Sequence, residues 1–106
     1  MTASNAASVQ FRRLTERYAN DGRVAPGKML VSEGLRVEGR FFLALVDGQL
    51  LVKLPRDRVA ELIASGIAQP FESGEGRVMR EWALISHSAS RRWSAIADEA
   101  LAFVGK

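Results

Sequence analysis

Residues 27–55, GKMLVSEGLRVEGRFFLALVDGQLLVKLP, constrain the fold more than any other part of the chain. They read as consecutive short strands joined by tight turns. Asp47-Gly48 is the strongest signal within them, because Asp and Gly both tolerate the positive φ that a two-residue hairpin demands. Arg40–Val46 is almost wholly apolar after its first residue, which predicts a central strand covered on part of both faces. Its partner should run through residues 49–54, with Leu50, Val52 and Leu54 on one face and Leu51 and Lys53 on the other. Glu38-Gly39 is a second turn candidate. A first strand is expected over residues 29–32, continuing through Leu35 and Val37. Phe41-Phe42 cannot both be buried on one face of a regular strand, so a covered central strand or a dimer contact would have to take them.

Helical periodicity brackets this block. Val9, Phe11, Leu14 and Tyr18 form an apolar stripe that predicts a helix over residues 5–19, capped by Ser4 or Asn5 and stopped at Asn20-Asp21-Gly22. Residues 1–4 are expected to fray. Pro55 suits a first helical position, and Val59, Leu62 and Ile63 form the stripe of a second helix that ends at Gly66. Residues 68–72 read as a short strand that Pro70 confines to a sheet edge. A loop over residues 73–76 leads to a last strand over residues 78–86, with Trp82, Leu84 and Ser86 on one face and Ala83 and Ile85 on the other. A third helix begins near Ser88 or Ser90, with Trp93, Ile96, Ala97, Ala100, Leu101 and Val104 in period.

The order is therefore αβββαββα. It predicts one α+β domain over residues 1–106, two layers deep, with a largely antiparallel five-stranded sheet and helices on one face. Leu43, Leu45, Leu50, Val52, Trp93 and Leu101 are its expected core. At 106 residues the chain can bury a single apolar core without staples.

Several chemistries are excluded or left without support. The chain has no cysteine, so disulfides, thiolate nucleophiles and Cys-based metal sites are absent. No catalytic residue, metal ligand or cofactor is assigned. The one histidine, His87, lies between Ser86 and Ser88, but adjacent strand residues point to opposite faces and cannot form a triad locally. Asp98-Glu99 is the only adjacent acid pair and belongs on a solvated helix face. Gly74-Glu75-Gly76 lacks the pattern of a phosphate loop. Trp82 and Trp93 read as packing residues. The net charge is +3, with acids close to bases along the sequence, which predicts a mixed-charge surface and no single basic face. No run approaches the ~20 apolar residues of a membrane span, and the N-terminus lacks a leader's apolar core, so a cytoplasmic protein is expected.

One cluster invites a binding role. Ser88, Ser90, Arg91 and Arg92 gather where the third helix begins, and a helix N-terminus with nearby arginines can hold an anion.

GRFFLALVDGQLLVKLP, followed by RVAELIASG, then Pro70-Phe71, then GRVMREW, resembles the TfoX/Sxy N-terminal-domain family and is similar to the related MmcQ/YjbR-type proteins. The likeness spans residues 27–104, with Met29 and Gly34-Leu35 in its opening block. It implies a fold like that of the type III secretion chaperones and no catalytic residues. The function it implies is a regulatory, non-enzymatic module that binds a protein partner. Secretion-chaperone-like domains often pair, so a homodimer is the expected assembly. Nucleic acid is the alternative partner, on the positive charge and the association with competence, and a small anion held at the third helix is another.

Overall fold

The computed structural model describes residues 3–29, 32–72, 74 and 76–106. Its elements are α1 (Ala3–Arg17), β1 (Val24–Met29), β2 (Ser32–Val37), β3 (Arg40–Val46), β4 (Gln49–Lys53), α2 (Arg56–Ala64), β5 (Ala68–Glu72), β6 (Val78–Ile85) and α3 (Trp93–Val104), with a 3-10 segment (His87–Arg92) leading into α3. All strand pairs are antiparallel, and the sheet runs β1-β2-β3-β4-β6-β5.

The sheet has six strands, not five, and the order is αββββαββα. Met29 and Ser32, the two ends of the expected first strand, belong instead to two different strands, β1 and β2, and pair with each other. Leu30 and Val31, on which that expectation leaned, lie outside the described residues. Pro26 and Gly27 look like punctuation in the sequence, yet they lie in a strand because the β2 ladder supplies the pairing that local propensity does not. Both outer strands carry a proline, Pro26 in β1 and Pro70 in β5, which blunts both sheet edges. Ser73 and Glu75 of the expected loop also lie outside the described residues, as do Met1 and Thr2. Ala3, Ser4 and Asn5 are helical, so neither Ser4 nor Asn5 is the cap of α1.

The turns at Glu38-Gly39 and Asp47-Gly48 have positive φ at both positions, 51° and 84° in the first and 51° and 76° in the second. They fix the β2–β3 and β3–β4 hairpins and hence the register.

The main core lies between one sheet face and the three helices. Phe11 and Leu14 of α1, Tyr18 in the turn just after it, Val59 and Leu62 of α2, and Trp93, Ile96 and Ala100 of α3 pack on Leu35, Leu43, Leu50, Val52 and Ile85. Leu45 and Leu101, expected in the core, are only partly buried at its margin. Two ion pairs lock the helices together. Arg17 of α1 grips Asp98 of α3 with two hydrogen bonds of 3.1 and 2.7 Å. Arg58 of α2 grips Glu99 with bonds of 2.8 and 3.1 Å. The Asp98-Glu99 pair is therefore two inter-helix clamps.

A bulge resolves the Phe41-Phe42 conflict. Leu35 pairs with Leu43, but Arg36 pairs with Phe41, so Phe42 is an extra residue on β3. Phe42 turns into the main core and is fully buried, and Phe41 stays on the opposite face.

Candidate interaction face

The sheet face away from the helices is apolar where an antiparallel sheet open to water would alternate to polar residues. Ala44, Leu51 and Trp82 are buried there, ringed by partly buried Met29, Phe41, Val46, Phe71, Met79 and Leu84. Among the described residues no helix contributes to this cluster. These side chains come from β1, β3, β4, β5 and β6, at positions that alternate with the main core: Ala44 pairs with Leu51, and Leu51 with Leu84.

A second irregularity shapes one end of the face. Pro70 pairs with Ala83, but Phe71 pairs with Met79, which leaves residues 80–82 of β6 without partners on β5. Trp82 pairs instead with Lys53 of β4, whose ammonium sits 5.4 Å from the indole centroid and 3.7 Å from Glu81.

Two open grooves meet at this end. One, of about 660 Å³, runs from Met29, Phe41 and Trp82 on the sheet to Phe103 and Val104 on α3, and is bordered by Arg40, Lys53 and Lys106. The other, of about 330 Å³, shares Lys53, Glu81 and Trp82 and adds Arg56, Arg77 and Arg80. Arg40 is anchored by a 2.7 Å bond from Nη2 to the Val104 carbonyl, which satisfies an otherwise free oxygen at the end of α3. The six cations come from four separate parts of the sequence: Arg40, Lys53 with Arg56, Arg77 with Arg80, and Lys106. They converge because β3 starts, β4 ends, α2 starts, β6 starts and α3 ends at the same end of the sheet. The mixed-charge surface expected from sequence therefore has a basic end. Its signal was the placement of each base beside an element boundary, readable only once the strand order is known.

The residues singled out in sequence lie elsewhere. Ser86 caps the 3-10 segment by accepting the Ser88 amide at 3.1 Å, and its hydroxyl is 3.0 Å from that of Ser88. Ser90 lines a cleft of about 180 Å³ with Arg13 and Arg17 of α1. Arg91 and Arg92 are exposed on the last turn of the 3-10 segment and do not line that cleft. The α-helix proper begins at Trp93, whose amide already donates to the Ser90 carbonyl. The cations that Ser90 meets are thus Arg13 and Arg17. His87 is half-buried edge-on against Trp93, with ring centroids 5.9 Å apart. Its Nε2 is buried with no protein partner.

Among the described residues there is no group of acids and histidine that could hold a metal ion, and no helix is long and apolar enough to cross a membrane. No protein-family model matches the chain, and no curated protein matches it.

Proposed function

We propose that this domain is a non-enzymatic, regulatory interaction module of the cytoplasm that docks a protein partner on the uncovered face of its sheet. The observation that carries the reading is the second apolar cluster, built on Ala44, Leu51 and Trp82, to which no helix contributes among the described residues. Contiguous apolar surface of this kind is costly to leave in water and marks interaction sites. Proline in both outer strands disfavours pairing by sheet extension, so the face rather than an edge is the surface to cover. The regulatory role, and the kinship of the fold with secretion chaperones, rest on the resemblance to the N-terminal domain of competence regulators. A homodimer would use the same face in self-complementary fashion.

Leu84→Lys tests the reading, because Leu84 lies on this face at the margin of the cluster. Affinity capture from native extract and light scattering over a wide dilution range are run on both proteins. The expected result is a partner, or a second copy, held by the parent and lost from the variant. The reading fails if the parent keeps the mass of one 11.6 kDa chain at every concentration and captures nothing that the variant does not.

A further inference from the structure

From the charge at one end of this face we infer the chemistry of the partner: a peptide segment carrying apolar side chains next to carboxylates. The inference rests on the open face being the docking surface. Among the described residues, the two grooves gather Arg40, Lys53, Arg56, Arg77, Arg80 and Lys106 against one carboxylate, Glu81. Asp57 lies just outside them, beside Arg56 in the adjoining cleft under α2. The chain holds 15 bases and 12 acids in all. Glu75 lies outside the described residues; of the other charged side chains, those away from the grooves are nine bases and ten acids, so they nearly balance and the positive charge is concentrated at the grooves. The field is therefore focused on one end of the sheet, and it attracts and orients an acidic partner.

The floor of the larger groove selects among acidic partners. Met29, Phe41 and Trp82 belong both to this groove and to the apolar face, so the basic end and the apolar surface are continuous. Leu84 and Val46 extend the apolar part away from the cations, while Met79 lies among them in the smaller groove. Aliphatic and thioether side chains suit Leu- or Phe-like anchors. A nucleic-acid strand needs open aromatic faces for its bases. Trp82, the largest ring, is only 8% exposed and lies beneath the Lys53 ammonium. Peptide chemistry therefore fits better than nucleotide chemistry.

The test is selection of a random 12-residue peptide display library on three proteins: the parent, Arg77→Glu/Arg80→Glu/Lys106→Glu, and Leu84→Lys. The charge-reversed residues are exposed and none is in an ion pair among the described residues, so the fold should persist, as far-UV circular dichroism would verify. The parent should enrich peptides that combine Asp or Glu with Leu, Ile or Phe. The best of them should bind the charge-reversed protein roughly tenfold more weakly, and more weakly as salt rises. It should also lose binding to Leu84→Lys. Enriched peptides without excess acid, lost only on Leu84→Lys, would overturn the inference and leave the docking face standing. No enrichment by the parent, and none altered by Leu84→Lys, would remove both. Tighter binding of a 20-nucleotide oligothymidylate or a 20-base-pair duplex than of any selected peptide, abolished by the charge reversal, would replace the peptide with nucleic acid.

Discussion

The Tyr18 hydroxyl donates to Asp98 Oδ1 at 2.7 Å, while the same ring packs in a T-shaped arrangement with Phe42 at a centroid distance of 5.8 Å. One side chain, in the turn that follows α1, thus reaches both α3 and the bulged residue of the central strand. Burial, with the bond to Asp98 added, pushes the phenol well above its ordinary value of 10.0. The raised value means that the neutral phenol is favoured in the folded state. Its contribution is complete below about pH 10 and is lost as pH rises further. Tyr18 is the only tyrosine, so tyrosinate absorbance reports it alone. Absorbance should stay flat through pH 10 and rise together with unfolding. An independent titration at its ordinary value, with the fold intact, would disprove the assignment. Tyr18→Phe should cost about 0.5–1.5 kcal/mol in chemical denaturation.

Asp98 sets the acid limb. The bond from Arg17, helped by that from Tyr18, holds its carboxyl below the ordinary 3.8. A depressed folded value stabilises above the unfolded one and is lost as pH falls through the folded one. The parent should lose stability below about pH 4. Asp98→Asn should be less stable than the parent at pH 7 and should lose less between pH 5 and pH 2. Identical denaturation midpoints for the two proteins at both ends would show that the clamp carries nothing.

Gly34 is required by close packing. A Cβ there would lie 2.9 Å from the Leu43 carbonyl oxygen and 2.9 Å from two carbons of the Phe41 ring. Gly34→Ala should destabilise by about 1–3 kcal/mol, the range for overpacking. Gly34→Ala/Phe41→Leu should recover only part of this, since the backbone oxygen remains. Thermal melts of the two variants decide the point, and a Gly34→Ala protein as stable as the parent would contradict the β2–β3 register.

Leu43 and Leu45 are on the same strand and point to the same side, but only Leu43 is fully buried. Leu43→Ala should cost about 2–5 kcal/mol, as for large-to-small changes in a tight core. Leu45→Ala should cost clearly less, because its site opens to solvent and leaves no closed cavity. Equal losses in urea denaturation would mean that the margin of the core is misplaced.

The local chain chemistry by itself determined the α+β class, the three helices and the β3–β4 hairpin. These depend on short-range properties: helical spacing in Trp93, Ile96, Ala97 and Ala100, the positive φ of Asp47-Gly48, and the faces of Leu50 and Leu51 at a period of two. The first strand escaped such a reading because Pro26-Gly27 has no strand propensity and is held only by pairing with Leu35 and Gly34. The placement of Phe42 escaped it because a bulge is a property of two strands in register, not of one. The basic end of the sheet is the clearest case. Arg40, Lys53, Arg77, Arg80 and Lys106 look dispersed along the chain, each near an acid or alone. Antiparallel folding brings their element ends to one place, so tertiary structure alone decided that a chain of modest net charge carries a concentrated field beside an uncovered apolar face.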